Sequence, residues 1–141
     1  MTQFSQINQG FNANDQLTSH QYSIATGTTP FTETISMTYN ALNKLNTTTY
    51  SSNNKVLTYN YNATGKLSTL NVSGLGNYVY NYSPTDGTIS SVTYPNQTQD
   101  VYTYNGPKGR LSQILYPNGD TVALNWNGEM QVQTLTYTSN L

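Results

Sequence analysis

The sequence predicts an all-β protein of tandem β-hairpin repeats, each of about 22 residues, that form a continuous coiled antiparallel sheet. One observation is a tyrosine-rich motif, best seen in YNATGKLSTLNV at residues 61–72, that recurs along the chain. The other is that each recurrence contains two segments in which apolar and polar residues alternate, as in strands with two distinct faces. No stretch has a helical period, so we expect no helix.

Each motif opens on an aromatic residue, continues through a polar turn and closes on an aliphatic residue. The opening aromatics are Phe11, Tyr39, Tyr61, Tyr82, Tyr104 and Trp126. The closing aliphatics are Leu17, Leu45, Leu67, Ile89, Leu111 and Val132, at steps of 28, 22, 22, 22 and 21 residues. A nearly constant step indicates a repeat architecture. We therefore expect one domain over residues 1–141, with six repeats whose motifs start near 11, 39, 61, 82, 104 and 126.

Two strands are predicted for each repeat. The incoming strand ends on the opening aromatic, as in Leu57, Tyr59 and Tyr61, which alternate with polar residues. The outgoing strand starts on the closing aliphatic and carries further apolar residues three and five positions later, as in Leu67, Leu70 and Val72. Six repeats therefore predict twelve short strands in six hairpins.

Two kinds of turn alternate between these strands. The motif turn lies between the opening aromatic and the closing aliphatic. Its first residue is usually Asn, whose side chain can close an Asx-turn. Near its end lies a Gly, Asn or Asp, such as Gly65 or Gly109, that can take a positive φ. One extra residue in repeats four and five predicts a bulge or wider loop there. The connecting turn joins successive repeats, and we expect the first, TGTTPFT, to be a longer loop.

The motif resembles the YD repeat of the Rhs family, which also occurs in teneurins and bacterial insecticidal toxin subunits. The resemblance is carried by Tyr61-Asn62-x-x-Gly65-Lys66-Leu67 and Tyr104-Asn105-x-x-x-Gly109-Arg110-Leu111, and the pattern runs from about Phe11 to Tyr137. The residue after the opening aromatic departs from the family's Asp: it is Ser83 in repeat four and otherwise Asn12, Asn40, Asn62, Asn105 and Asn127. The resemblance implies a spiralling sheet, often a hollow shell around a toxin, although such shells use many more repeats.

Composition excludes several functions. Only 8% of residues are charged and the formal net charge is -1, so a basic surface for nucleic acid is absent. No apolar run is long enough to span a membrane. The chain has no cysteine, which excludes disulfides and thiolate metal sites. The first ten residues, MTQFSQINQG, lack the features of a signal peptide.

No catalytic or metal-binding arrangement is predicted, and we expect no enzyme and no cofactor. The lone imidazole, His20, occupies a repeat position held by Thr48 in repeat two and by Leu, Val or Ile in the other repeats, which favours a structural role. The basic residues before the closing aliphatics, Lys44, Lys66 and Arg110, are expected to lie over neighbouring aromatic rings. We interpret the six carboxylates as loop acids, although Asp100 and Asp120 can be aligned as equivalent positions of successive repeats: Asp15, Glu33, Asp86, Asp100, Asp120 and Glu129.

The first functional hypothesis is a structural protein that self-associates head to tail into an extracellular or cell-surface filament or tube, as a homo-oligomer or homopolymer. Uncharged edge strands support it, with Phe4 and Ile7 at one end and Val132, Leu135 and Tyr137 at the other. The chain also contains 13 Tyr, and exposed rings can stack on sugars. A carbohydrate-binding module that uses Tyr59, Tyr78, Tyr80 and Tyr102 is therefore an alternative. A third hypothesis is that the chain forms part of an Rhs-type shell that encloses a toxic partner.

Overall fold

The computed structural model describes residues 4–26, 29–105 and 109–141, apart from the side chains of residues 4–6, 25, 26, 29 and 30. Within these ranges the chain contains twelve β-strands and no helix. The strands are β1 (Phe4–Phe11), β2 (Leu17–Thr26), β3 (Thr29–Tyr39), β4 (Leu45–Tyr50), β5 (Lys55–Tyr61), β6 (Leu67–Val72), β7 (Gly76–Tyr82), β8 (Ile89–Thr93), β9 (Gln99–Asn105), β10 (Arg110–Leu115), β11 (Thr121–Trp126) and β12 (Val132–Thr138).

The chain divides into two compact units, Met1–Gly76 and Asn77–Leu141. In the first unit, strands β1 to β6 pair with their neighbours in chain order, and every pair is antiparallel. In the second unit, strands β7 to β12 follow the same order. The all-β class and the tandem hairpins are therefore confirmed. The single domain over residues 1–141 stays a prediction.

Every motif turn joins an opening aromatic to the closing aliphatic directly opposite it in the hairpin. The pairs are Phe11–Leu17, Tyr39–Leu45, Tyr61–Leu67, Tyr82–Ile89, Tyr104–Leu111 and Trp126–Val132. Large side chains on both strands thus close the hairpin beside its turn. Such cross-strand pairs contribute roughly 0.2–1 kcal/mol each.

A one-residue bulge follows each closing aliphatic. In the third hairpin, Asn60 pairs with Thr69 and Tyr61 pairs with Leu67, so Ser68 has no partner residue opposite it. The Ser68 hydroxyl donates to the Asn60 carbonyl at 3.2 Å. The same shift occurs at the corresponding place in the other hairpins. A bulge adds one residue to one strand, which explains why the apolar positions of the outgoing strands are three residues apart there.

A left-handed residue lies two positions before each closing aliphatic. These residues are Asp15, Asn43, Gly65, Gly87, Gly109 and Met130, with φ of 58°, 58°, 78°, 71°, 56° and 68°. The first five match the Gly, Asn or Asp expected near the end of the turn. Repeat six differs, because Met130 takes the position although Gly128 is nearby. A side chain with a Cβ is strained in this region.

The first connecting turn is shorter than predicted. Residues expected in the loop TGTTPFT belong to strands, since Thr26 pairs with Thr29 and Thr32 pairs with Ser23. Extension of β2 and β3 satisfies backbone groups that a surface loop would leave to water, and β-branched residues suit an extended backbone. The 28-residue step between the first two closing aliphatics therefore corresponds to longer strands, β2 and β3, and not to a longer loop. Residues 27–28 lie outside the described part.

The extra residue of repeat four widens its motif turn, as predicted. Ser83 N donates to Thr88 O at 2.8 Å, whereas in repeat three Asn62 N donates to Lys66 O at 2.8 Å, one residue closer in sequence. The corresponding segment of repeat five includes residues 106–108, so its predicted wider loop lies outside the described residues.

Most strand side chains are half-buried. Among the described residues, the buried apolar side chains are Val72 and Val92, both 9% exposed, and no large side chain is fully buried. The repeats are thus held largely by contacts between neighbouring strands. In the described part, no helix is long and apolar enough to cross a membrane.

Candidate functional site

Three of the opening aromatics are hydrogen-bonded to the repeat that precedes their own. Where these bonds are described, the ring donor reaches the carbonyl of the preceding closing aliphatic. The bonds are Tyr39 Oη to Leu17 O at 2.8 Å, Tyr61 Oη to Leu45 O at 2.8 Å and Trp126 Nε1 to Leu111 O at 2.7 Å. Tryptophan therefore preserves the contact in repeat six, because its indole N–H replaces the phenol as the donor.

The residue before the closing aliphatic reaches in the other direction, toward the next repeat. Lys44 Nζ donates to Gly65 O and lies 5.0 Å from the centroid of the Tyr61 ring. A cation at this distance is attracted by the face of the ring. The predicted stacking of Lys44 on a neighbouring aromatic is therefore confirmed.

Gln16 and Arg110 occupy the same position as Lys44 in their repeats and also reach the next motif turn, Gln16 at its left-handed residue and Arg110 at its first residue. Arg110 Nη1 donates to Asn127 O at 3.1 Å, and its guanidinium lies 5.9 Å from the centroid of the Trp126 ring. Gln16 Nε2 donates to Asn43 O at 2.9 Å without a charge. These donors, together with the ring donors, tie adjacent repeats in both directions. Gln16 was not predicted, because only basic residues were expected to make this contact.

The Asn after the opening aromatic closes the motif turn. Asn62 Oδ1 accepts from Thr64 N at 3.1 Å and from Lys66 N at 2.9 Å. Asn12, Asn40 and Asn127 bond the equivalent amides. An Asp at this position could accept the same bonds, which explains why the departure from the family pattern preserves the turn.

Asparagine supplies an additional donor in the first and last motif turns. Asn12 Nδ2 donates to Gln16 Oε1 at 2.9 Å, and Asn127 Nδ2 donates to Gln131 Oε1 at 3.1 Å. An ionised carboxylate has no such donor. Asn and Gln therefore act as a pair in these two turns.

Asp100 and Asp120, aligned in the sequence analysis, are not equivalent. Tyr94 N bonds Thr98 O in one connecting turn and Tyr116 N bonds Asp120 O in the next, so Asp120 corresponds to Thr98. Asp100 lies two residues further on, within β9. The connecting turn PNQTQD is longer than the next one, PNGDT, and this difference in length caused Asp100 to be matched with Asp120 from the sequence.

Asp100 is a buried carboxylate, only 6% exposed. Tyr94 Oη donates to Asp100 Oδ2 at 2.6 Å, and this bond, with burial, raises the pKa of Tyr94 to about 12. The Tyr94 ring also packs edge-on against Tyr78, with centroids 5.9 Å apart. The carboxylate and the two rings form one packed group, so the arrangement is structural.

Asp120 is held by several donors beside the final strand. Tyr137 Oη donates to its Oδ2, Asn118 Nδ2 donates to the same oxygen at 2.7 Å, and Asn140 N donates to Oδ1 at 2.8 Å. The hydrogen bond from Tyr137 and these other donors lower the pKa of Asp120 below its ordinary value. Asp120 is therefore a fixed, ionised acceptor at the surface.

Other polar groups also have structural contacts. Glu33 Oε1 accepts from Ser52 N at 3.2 Å, and hydrogen bonds from Ser52 and Ser51 lower the pKa of Glu33. His20 is half-buried in β2, with Nδ1 3.4 Å from Gln9 Nε2 and its ring centroid 6.3 Å from that of Tyr22. Across the described ranges, no three His, Cys, Asp or Glu side chains are arranged to hold a metal ion.

The first and last strands, β1 and β12, both carry exposed apolar side chains. On β1, Ile7 is 64% and Phe11 57% exposed, while the Phe4 side chain lies outside the described part. On β12, every residue is exposed, and its apolar side chains Val132, Leu135 and Tyr137 are 45%, 64% and 58% exposed. Neither strand carries a charge or a proline that would blunt the edge.

The tyrosines of the sugar-binding hypothesis lie in β5, β7 and β9 and are half-buried: Tyr59, Tyr78, Tyr80 and Tyr102. Burial raises the pKa of Tyr102, with a further contribution from the charge of Asp100. Tyr78 is engaged with Tyr94 as described above. Their part in sugar binding stays a prediction.

Comparison with protein families finds a match to the model described as Teneurin YD-shell, over residues 3–141. A search of curated proteins finds no match.

Solved structures with a similar fold include TcdB2-TccC3-Cdc42, with a TM-score of 0.72, 14% identity, and coverage of 92% of this chain and 7% of the other. TcdB2-TccC3-TEV has a TM-score of 0.73 and 15% identity, and the match covers 96% of this chain and 8% of the other. TcdB2-TccC3 without its hypervariable C-terminal region has a TM-score of 0.70 and 15% identity, with coverage of 90% of this chain and 7% of the other. At these identities the similarity concerns the fold. The chain spans less than a tenth of each of these proteins.

Proposed function

Because this chain belongs to the Teneurin YD-shell family and is a structural, shell-type β-repeat protein, we propose that it forms a β-sheet wall by self-association. In this proposal, β12 of one copy pairs with β1 of the next, head to tail, and the product is an extracellular filament or tube. The role is non-enzymatic. Its extracellular location draws on the family relationship alone.

The observation that carries the proposal is the exposure of β12. Its seven residues are all exposed, and its sequence, VQTLTYT, has no charge and no proline. An edge strand of this kind presents unpaired N–H and C=O groups that can pair with another strand. Repeat proteins usually protect such ends with polar capping units.

The last repeat also carries the groups that join repeats elsewhere. Gln131 occupies the position from which Gln16 reaches the next motif turn at Asn43 O. Its Oε1 accepts from Asn127, which leaves its Nε2 donor for a following repeat. In an adjoining copy the matching acceptor is the carbonyl of Asp15, whose positive φ corresponds to that of Asn43.

The proposed contact joins two different surfaces, so it is heterologous. Such contacts give open helical polymers unless the rotation between copies closes a ring. The formal net charge of -1 offers little electrostatic resistance to association. Both features support a filament or tube.

Negative-stain microscopy of the purified chain at high micromolar concentration tests the proposal. We expect fibres or rings from the wild type and their loss in Leu135→Lys, because an ammonium group on β12 would have to be desolvated in the new strand pair. Leu42→Lys is the matched control, since Leu42 is 74% exposed but lies in a motif turn. A monodisperse monomer would overturn the proposal. Equal loss of assembly in both variants would refute the role of β12.

A second candidate is a segment of a larger shell around a toxic partner. The observation that favours it is that the chain spans only 7–8% of the TcdB2-TccC3 chains with a similar fold. In that case β12 would be followed by further repeats, and a small protein would co-purify with the assembled wall. Homopolymer formation without a second protein favours the first proposal.

A further inference from the structure

A shallow depression that is open to solvent, with a volume of about 560 Å³, lies in the second unit beside the connecting turns that precede β9 and β11. Its wall combines aromatic, amide, carboxylate and aliphatic groups. The residues that matter here are Asn96, Tyr116, Asn118, Asp120, Val122 and Tyr137. We refer to them as the tyrosine groove.

Two rings from successive repeats face the tyrosine groove. Tyr116 and Tyr137 each lie five residues after a closing aliphatic, Leu111 and Val132. One hairpin separates these positions, so the backbone positions are about 10 Å apart at ordinary strand spacing. The Tyr137 side chain is 58% exposed. This is a spacing at which two rings of one oligosaccharide can each meet an aromatic face.

The Asp120 carboxylate lies in the tyrosine groove beside the Tyr137 side chain. It is fixed by the Tyr137 hydroxyl, Asn118 Nδ2 and Asn140 N. An ionised carboxylate accepts about four hydrogen bonds in total. The Ser139 side chain is a fourth donor to this carboxylate, so Asp120 is fully engaged and serves to hold the Tyr137 ring in place.

Asn96 and Tyr116 supply hydrogen-bond donors to the tyrosine groove. Asn96 Oδ1 accepts from Thr98 N at 3.1 Å and from Thr98 Oγ1 at 2.7 Å, which orients the Asn96 amide. Within the described residues, neither its Nδ2 nor the Tyr116 hydroxyl makes a hydrogen bond to the protein. Tyr94 and Tyr137, the corresponding tyrosines on either side, donate to carboxylates instead.

We propose that the tyrosine groove binds a neutral oligosaccharide, with Tyr116 and Tyr137 stacking on sugar rings and Asn96 bonding hydroxyls, while Asp120 holds the Tyr137 ring in place. Asp120 is the only charged side chain among the described groove residues, so anionic sugars are disfavoured. Aliphatic Val122 supplies an apolar contact for the ring C–H groups. The site differs from the Tyr59, Tyr78, Tyr80 and Tyr102 set, whose side chains are half-buried.

A glycan array with neutral and anionic oligosaccharides, followed by titration calorimetry on the best neutral hit, tests the proposal. We expect Tyr116→Ala to weaken binding at least about tenfold through loss of ring contact. Tyr80→Ala is the matched control and should bind within about twofold of the wild type. Tyr116→Phe, which retains the ring, should bind more tightly than Tyr116→Ala. Circular dichroism verifies that each variant is folded.

Three results would overturn the proposal: no neutral glycan bound, binding unchanged in Tyr116→Ala, or binding lost in Tyr80→Ala instead. Repetition of the titration in Leu135→Lys separates it from self-association. Because the groove does not include Leu135, this variant should retain binding even where assembly is lost.

Discussion

At the scale of single residues, Asp100 places a carboxylate where other repeats carry apolar side chains. The equivalent residues, four positions before the opening aromatics, are Ile7, Ile35, Leu57, Tyr78 and Val122. A buried charge needs hydrogen-bond partners, and the Tyr94 hydroxyl supplies one at 2.6 Å. A hydrogen bond between Tyr94 and Asp100 therefore stands where the other repeats have an apolar side chain, and it needs both residues.

Tyr94→Phe removes this donor while it retains the ring. We expect the free energy of unfolding at neutral pH to fall by about 1–3 kcal/mol, because the buried acceptor loses its partner. Denaturant titration followed by Trp126 fluorescence measures the loss. Tyr116→Phe is the control, since its hydroxyl makes no hydrogen bond to the described part of the protein; an equal loss in both variants would contradict the assignment.

The same pair predicts a pH dependence. The pKa of Tyr94 is raised to about 12 in the folded state, chiefly by the bond to Asp100, whereas an unperturbed tyrosine has a pKa of about 10. The folded state therefore holds this proton more tightly. Its contribution to stability is full below about pH 10 and is lost as the pH rises toward 12. Tyr94→Phe should lose less stability over this interval than the wild type. Parallel curves for the two proteins would refute the prediction.

Met130 carries local backbone strain in the last motif turn. Its φ is 68°, in the region that costs a residue with a Cβ about 1–2 kcal/mol. Met130→Gly should therefore raise the free energy of unfolding by about 0.5–1 kcal/mol, after allowance for the greater freedom of glycine in the unfolded chain. Thermal and urea unfolding measure it.

The converse change is available in repeat five. Gly109 has φ 56°, and a Cβ added there would meet no atom of the described residues within 4 Å, so Gly109→Ala tests strain without a clash in that part of the chain. We expect it to destabilise by about 1 kcal/mol. If both substitutions changed stability in the same direction, strain would not be the cause.

At the scale of strands and hairpins, the repeat is held at its turn and across its boundary. Within a hairpin, the opening aromatic faces the closing aliphatic and a bulge follows. Across the boundary, a ring donor reaches the preceding repeat and a longer side chain reaches the following one. Tyr61 illustrates this arrangement, since it pairs with Leu67, bonds Leu45 O and lies under Lys44.

Tyr61→Phe tests the bond across the boundary. It leaves the ring for Leu67 and Lys44 but removes the hydroxyl that donates to Leu45 O at 2.8 Å. We expect a loss of about 1 kcal/mol in urea unfolding followed by circular dichroism. Tyr59→Phe, on the same strand, removes a hydroxyl without a hydrogen bond in the described part and should be nearly neutral. A neutral Tyr61→Phe would show that the bond adds nothing beyond what water supplies.

The sequence was informative about features that depend on local order. The aromatic, turn and aliphatic pattern predicted the hairpins, and the step from Leu67 to Leu70 recorded the bulge at Ser68, although we did not interpret it as one. Features set by alignment between strands were less accessible. The Tyr94–Asp100 bond and the reach of Gln16 depend on which residues the register brings together, and the misalignment of Asp100 with Asp120 arose from the same cause.

At the scale of the whole molecule, the open edges matter most. The opening aromatics after the first all carry a donor: Tyr39, Tyr61, Tyr82, Tyr104 and Trp126. Phe11 alone among the six has none, and its ring is 57% exposed. If β1 of one copy adds to β12 of another in the repeat register, Phe11 comes to the position from which a tyrosine would reach the carbonyl of Val132 in the adjoining copy.

Phe11→Tyr should therefore strengthen self-association without a change in the stability of the monomer. One added hydrogen bond of about 1 kcal/mol per contact corresponds to roughly fivefold tighter association. Sedimentation velocity over a concentration series measures the shift in the concentration at which assembly begins. Phe31→Tyr is the matched control, because Phe31 is 48% exposed but lies on the internal strand β3, where it pairs with Ile24 of β2. A shift in Phe11→Tyr alone supports assembly in the repeat register. Equal shifts in the two variants, or none in Phe11→Tyr, would exclude that register, because the new hydroxyl would then not meet the carbonyl that every internal repeat boundary with a described bond uses.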